Sequence, residues 1–159
     1  KTGVRHARAS LFADATCVVT RTSRTSMTAF GRVCALWQAL DSRIVVARPE
    51  RHDDLVAKVS HLPHLLAVAL MQTLEECAED KNLIKGIIGN GFRDMTRIAA
   101  GDSQMWEEIC GENAQAIAEA RRCFETAFLK VMDAAGAGGP ELKRILENAS
   151  QSRRFLDQR

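Results

Sequence analysis

The chain has 159 residues, a formal net charge of +2 and an apolar fraction of 46%, which fits one globular domain with a real core. The small charge and scattered basic residues give no nucleic-acid or membrane footprint, and the lack of Tyr argues against a base-stacking surface. No apolar run of the roughly 20 residues that cross a bilayer is expected. Five cysteines without metal-like spacing predict buried thiols in a reducing, cytoplasmic setting. Because Lys1 is not an initiator Met, we expect the chain to begin inside a longer protein.

The first 48 residues predict a strand, a helix and a second strand. Residues 17–20 and 43–47 are short β-branched runs typical of strands, and a helix capped by Ser26 extends to about Leu40. This order predicts a parallel pair of strands. Two strands cannot bury themselves, so they either pack on the following helices or finish a sheet whose other strands precede Lys1. We favour the second arrangement.

A long, buried central helix is predicted from Pro49 to about residues 79–80. Apolar residues recur there at three- and four-residue steps, and Pro49 followed by acids is a good helix start. The polar stretch Ser-His-Leu-Pro-His at 60–64 lies in its middle. Inside a helix, Pro63 removes the hydrogen bond to the Val59 carbonyl and clashes with that carbonyl, at a cost of roughly 3 kcal/mol. We therefore expect a kink at this stretch.

The remainder predicts helices separated by polar or glycine-rich breaks. Residues 80–91 predict a connection that ends in a turn-rich loop. The helices expected after it span residues 92–100, 105–110, 113–135 and 140–156. Asp102 or Ser103 caps the second of these, Gly111 interrupts the chain after it, and Pro140 opens the last.

Ser60, His61 and His64 form the first candidate site. Ser60 and His64 are four residues apart and share one face of a regular helix, with His61 beside them. The kink would free the Val59 carbonyl for a ligand or water. Two core histidines bonded to backbone explain the same pattern, and for a histidine pair taken alone they are the favoured explanation. Two histidines are too few for zinc, and Ser60 lacks the flanking glycines of a nucleophile elbow.

Arg93 and Arg97 form the second candidate site. They lie four residues apart on a predicted helix that follows a glycine-rich turn, an arrangement that binds carboxylate or phosphate. Pairing of Asp94 with Arg97 on a solvated surface is the alternative, and on this stretch alone it is slightly favoured. Trp106 lies at the start of the next predicted helix. Buried packing is the favoured role for its side chain, and contact with a ligand is the alternative. The glycines at 89 and 91 are no dinucleotide fingerprint, because no strand precedes them and the third glycine is missing.

In this order the stretches resemble the C-terminal domain of the prephenate dehydrogenase family, which includes arogenate and cyclohexadienyl dehydrogenases of tyrosine biosynthesis. The matching motifs are S-H-L-P-H at 60–64, G-x-G-F-R-D-x-T-R-I-A at 89–99 and D-x-x-M-W at 102–106. The opening K-T-G-V, with L-F at 11–12, is also similar. The resemblance covers essentially the whole chain.

The resemblance implies a mainly α fold, a helical dimerisation domain like the C-terminal domain of 6-phosphogluconate dehydrogenase, preceded by a β-α-β piece. Residues 1–48 would be the tail end of the nucleotide-binding domain, and residues 49–159 the all-helical dimerisation and substrate-binding domain. The complete enzyme would be a homodimer that oxidises and decarboxylates the dicarboxylates prephenate or arogenate with NAD or NADP. The family's proton-accepting histidine and its glycine-rich loop lie before the position of Lys1. We therefore expect this chain alone to bind no cofactor or metal and to be inactive.

The resemblance also implies roles for individual residues. His64 matches a histidine that contacts substrate, Ser60 a neighbouring polar contact, with His61 beside them. Arg97 matches the arginine that binds a substrate carboxylate, while Arg93 and Asp94 match a pair that lines the site and Trp106 an aromatic near it. Asn90 departs from the family's usual glycine, although Asn tolerates a positive φ. A stand-alone helical dimerisation or interaction module without catalysis is the alternative function.

Overall fold

A computed structural model describes residues 4–158, apart from the side chains of residues 6, 76 and 78. The first three residues of the family-like opening, Lys1–Gly3, lie outside this range. The chain divides into two compact units, Lys1–Ala99 and Ala100–Arg159. The predicted mainly helical class, with one short β-α-β piece, is confirmed. The predicted domain boundary after residue 48 stays a prediction.

The β-α-β piece forms as predicted. Strands β1 (Thr16–Thr20) and β2 (Arg43–Ala47) pair in parallel, with Thr16 opposite Arg43 and Thr20 opposite Ala47. Helix α1 (Met27–Gln38) connects them, and the Ser26 hydroxyl caps it by accepting from the Ala29 amide at 3.5 Å. Within the described residues the sheet has these two strands alone.

The segment before β1 packs on the end of α1. It begins with a 3-10 turn, Val4–His6, and the Phe12 ring meets the Trp37 ring edge to face, with centroids 5.1 Å apart. Ser42 is buried, and its hydroxyl donates to the Phe12 carbonyl at 2.9 Å. These contacts fix the chain on both sides of the strand pair.

The central helix contains a π-helical turn at its middle. Helix α2 (Pro49–Val56) leads into the π-turn Ala57–His61, and helix α3 (Leu62–Thr73) follows it directly. The Leu62 amide donates to the Ala57 carbonyl, five residues back, which is the π-type bond. Pro63 therefore lies in the first turn of α3, where a missing N–H is tolerated. The expected kink takes the form of this turn.

Three expectations about the central helix were wrong. It ends at Thr73, and residues up to Asp80 form a 3-10 helix, Glu75–Asp80, in which Cys77 breaks the helical geometry with φ −101° and ψ 29°. Fewer residues of the helix are buried than expected, since the predicted core residue Val59 is 72% exposed. By length and composition alone, Pro49–Thr73 is apolar enough to cross a membrane, contrary to expectation, although core helices of soluble proteins pass the same test.

Helices α4 (Lys81–Ile87) and α5 (Asn90–Thr96) complete the first unit. The predicted loop at 80–91 was wrong, because most of it is α4. Gly89, in extended conformation with φ −82° and ψ 171°, separates the two helices. A 3-10 helix, Arg97–Ala100, continues from α5, so the helix predicted over 92–100 begins earlier and tightens at its end.

The second unit consists of α6 (Ser103–Glu112), α7 (Ala114–Ala137) and α8 (Pro140–Asp157). Asp102 caps α6, as predicted, by accepting from the Met105 amide at 2.9 Å. The break predicted at Gly111 was wrong, because α6 continues through it. The break before Pro140 is confirmed, and Gly138 and Gly139 take positive φ values of 67° and 82° there.

The five cysteines are all free thiols. Cys17, Cys34 and Cys110 are half-buried, whereas Cys77 and Cys123 are exposed. The prediction of buried thiols is therefore wrong, since none of the five is fully buried.

Candidate functional site

His64 is the buried polar residue of the central helix, with 5% of its surface exposed. It follows Pro63 in the first turn of α3, three residues after the end of the π-turn at His61. Burial lowers the pKa of His64, because the imidazolium form loses hydration there. The neutral ring is therefore favoured, and in that form one nitrogen can donate a hydrogen bond while the other can accept one.

Ser60 lies outside this buried position. It belongs to the π-turn and is exposed, while His64, four residues on, is buried. The shared face expected of a regular helix depends on 3.6 residues per turn, and the π-turn changes that register. The structure thus does not bring Ser60 and His64 onto one buried face.

His61 ends the π-turn and is half-buried near a second histidine. Burial is the main cause that lowers the pKa of His61, the charge of His52 lowers it further, and Asp53 opposes both. His52 Nδ1 lies 2.9 Å from Asp53 Oδ1. Periodicity gives no sign that His52 is near His61, because residues nine apart face opposite sides of a regular α-helix.

A charged cluster lies on the same helical segment. Arg51 Nη1 lies 2.6 Å from Asp54 Oδ2, and the Lys58 ammonium pairs with the other oxygen of that carboxylate. Lys58, above all, and Arg51 hold the pKa of the Asp54 carboxyl below its usual range. Both cations are engaged by the same carboxylate within the segment.

Arg93, Asp94 and Arg97 are exposed on α5 and at the start of the 3-10 turn that follows it. Across residues 4–158, none of the three enters an ion pair. The local alternative, in which Asp94 neutralises Arg97, is therefore not formed. Two guanidinium groups remain available to an anionic ligand.

Helix α5 packs against α3 within the first unit. Phe92 is half-buried, and the Thr96 hydroxyl donates to the Phe92 carbonyl at 2.7 Å within the same helical segment. The arginine-bearing helix therefore lies beside the helix that carries His64, although the two motifs are about thirty residues apart in sequence. Periodicity could not have shown this contact.

Trp106 is half-buried near the start of α6, in the second unit. Its predicted place beside the substrate stays a prediction. Among the described side chains, no group of three or more His, Cys, Asp or Glu is placed to hold a metal ion. The turn after β1, residues 21–26, contains no glycine and does not fit the pyrophosphate loop of a dinucleotide.

Comparison with known proteins identifies relatives over most of the chain. The sequence profile described as "Prephenate dehydrogenase, dimerization domain" matches residues 48–147. A prephenate dehydrogenase from Lactococcus lactis is 33% identical over 115 residues, which are 72% of this chain and 30% of that protein. A cyclohexadienyl dehydrogenase from Zymomonas mobilis is 32% identical over 110 residues, 69% of this chain and 38% of that protein. The chain thus spans about a third of these relatives.

A solved structure matches nearly the whole described fold. It is the prephenate dehydrogenase from Aquifex aeolicus in complex with hydroxyphenyl propionate and NAD+. The match has a TM-score of 0.90 and 29% sequence identity, and it covers 98% of this chain and 55% of that one.

Proposed function

The chain belongs to the prephenate dehydrogenase family, and we propose that it is the carboxyl-terminal part of an enzyme that oxidises and decarboxylates prephenate or arogenate with NAD or NADP. The packing of α5 against α3 carries the proposal. It brings the helical segment of Arg93 and Arg97, neither of which is in an ion pair within residues 4–158, next to the helix that carries buried His64. A substrate with two carboxylates and a ring hydroxyl requires cationic anchors and a hydrogen-bonding group of this kind.

Each residue would have a distinct task. Arg97 would hold one substrate carboxylate with two parallel N–H···O bonds, and Arg93 would supply the second cation. His64, kept uncharged by burial, would hydrogen-bond a polar group of the substrate without repelling the arginines. NAD or NADP accepts the hydride in this chemistry. Because the described residues do not fit its binding loop, the cofactor would be held by the part of the enzyme that precedes this chain.

The test is the kinetics of the complete enzyme with prephenate and arogenate, each with NAD and NADP. Replacing Arg97 by Ala should raise KM about tenfold or more, since a hydrogen-bonded charge pair contributes about 1.5–3 kcal/mol. Arg121→Ala is the matched control, because Arg121 lies in α7 in a surface ion pair with Glu125 at 3.6 Å. An unchanged KM for Arg97→Ala would refute the assignment, and oxidation of neither substrate would refute the function.

We also propose that the chain forms a homodimer with a second copy of itself. The 24-residue helix α7 leaves Phe128, Leu129 and Met132 exposed by 48%, 61% and 52%. These residues lie three and four positions apart, so they share one face. An exposed apolar face on a domain of a family described by its dimerization is best covered by the same face of a partner.

Light scattering after gel filtration tests the dimer. Leu129→Lys with Met132→Lys should shift the protein to the monomer mass, whereas Arg51→Ala, which lies in α2 and not in α7, should leave the mass unchanged. A wild-type monomer at micromolar concentration would contradict the dimer. A dimer that oxidises no substrate would favour the alternative, a dimerisation module without catalysis.

A further inference from the structure

The carboxyl ends of β1 and β2 open into a cavity of about 550 Å³. Its lining comes from the residues after β1, from Met27 at the start of α1, and from the end of β2, where Val46 and Ala47 form an apolar floor. None of the residues assigned above to the substrate lines it. In sheets of parallel strands, ligands bind beyond the carboxyl ends of the strands.

The cavity is positively charged. Two arginines, Arg21 and Arg48, line it, and its lining includes no Asp or Glu. Arg21 is held in place by uncharged groups: its Nη1 lies 3.2 Å from Met27 Sδ, and its guanidinium carbon lies 5.5 Å from the centre of the Phe30 ring. Neither contact neutralises the charge. The side chain of Arg48 is exposed and forms no hydrogen bond or ion pair with any other described residue.

The loop that carries the remaining donors is already closed into a turn. The Arg21 amide donates to the Ala47 carbonyl at 3.3 Å, which joins the ends of the two strands. The Thr22 amide donates to the Thr25 hydroxyl at 3.0 Å, and the Arg24 amide donates to the Thr22 hydroxyl at 3.3 Å. Residues 22, 23 and 25, which carry hydroxyls, line the same cavity, and these hydrogen bonds order the turn before a ligand binds.

We propose that this cavity binds the phosphate group of a small molecule, with Arg21 and Arg48 as the charged anchors. Two guanidinium forks and three hydroxyls offer more donors than the two oxygens of a carboxylate can accept, whereas a phosphate accepts from several at once. The positive end of the α1 dipole, at the Ser26 cap, adds to the attraction. The site is independent of the proposed dehydrogenase activity, because it shares no residue with the substrate site.

Calorimetric titration of the chain with inorganic pyrophosphate, at constant ionic strength, tests the proposal. We expect saturable binding that Arg48→Gln weakens about tenfold, as loss of one charge-assisted contact predicts. Arg24→Gln is the matched control, since it removes the same charge from the same loop but does not line the cavity. Because Arg48 has no partner in the described fold, its replacement should leave the circular dichroism spectrum and the thermal midpoint unchanged.

Three results would overturn the proposal: no saturation by about ten millimolar pyrophosphate, equal weakening by Arg24→Gln and Arg48→Gln, or malonate binding as tightly as pyrophosphate. NAD+ titrated in parallel identifies the source of the phosphate. Binding of pyrophosphate without tighter binding of NAD+ would support a small phosphate compound, whereas tighter binding of NAD+ through Arg48 would overturn it, because residues 21–26 do not fit a dinucleotide loop.

Discussion

Deleting Val59 from the π-turn should destabilise the fold, because the π-turn accommodates Pro63 and the deletion removes that turn. The π-turn holds one more residue per turn than an α-helix, so a one-residue deletion converts Pro49–Thr73 into a regular helix. Both flanking segments keep their buried faces. Pro63, now in the first turn of α3, would then lie in a helix interior, where its ring meets the carbonyl four residues before it.

The expected destabilisation is about 3 kcal/mol, the cost of a helix-interior proline. Val59 itself contributes little, because a side chain that is 72% exposed is worth less than about 0.5 kcal/mol. With Pro63 replaced by Ala, the same deletion meets no clash and should cost little. The coupling between deletion and proline should therefore be about 3 kcal/mol.

Urea denaturation followed by circular dichroism measures all four members of this cycle. With a denaturant slope of about 2 kcal/mol/M, the deletion should lower the midpoint by about 1.5 M. Val59→Ala is the matched control, because it removes the side chain without changing the helical register. Equal cost of the deletion with and without Pro63 would refute the view that the π-turn accommodates the proline.

Further predictions concern two local structures and one titration. Gly138→Ala should destabilise the chain by about 1–2 kcal/mol, because Gly138 has φ +67°. Gly31→Ala in α1 should stabilise the chain by about 0.5–1 kcal/mol, because no atom lies within 4 Å of the added methyl group. Urea midpoints measure both changes. Asp102→Ala should cost about 1 kcal/mol by removing the cap on the Met105 amide, and Asp102→Asn should retain it. Stability should fall as pH drops below about 6.5, where the unfolded chain takes up a proton that buried His64 binds less readily; His64→Gln should reduce this slope, and an unaltered slope would contradict it.

Local signals in the sequence predicted the parts of the fold that depend on local chemistry. Residues 43–47 form β2 with the predicted bounds, because a β-branched run between turns has few other solutions. Ser26 and Asp102 cap the predicted helices, and Pro140 opens the last one after two glycines with positive φ. Each of these features is decided within four residues of chain.

The errors arose where tertiary packing outweighs local preference. Gly111 costs a helix only about 1 kcal/mol, and α6 continues through it to Glu112. Lys81–Ile87 is helical although Gly86 lies in it. The π-turn is a response to Pro63 that no periodicity indicates, and it is the reason that Ser60 and His64 differ in burial.

The candidate site was predictable as two motifs but not as one place. The stretches around His64 and Arg97 could be recognised separately, yet their proximity depends on the contact between α3 and α5. The absence of an Asp94–Arg97 ion pair within the described chain likewise depends on side-chain conformations that sequence spacing leaves open. The substrate roles of these residues stay predictions.

The two-stranded sheet has a practical consequence for handling the protein. In residues 4–158, β1 and β2 pair only with each other, and Val18, Val45 and Val46 are 40%, 48% and 50% exposed. Each strand thus presents an open edge of unpaired N–H and C=O groups together with a row of valines, a template on which strands of other molecules can add. A preparation of this chain alone should aggregate through strand addition as its concentration rises, and coexpression with a segment that covers these edges should raise its solubility.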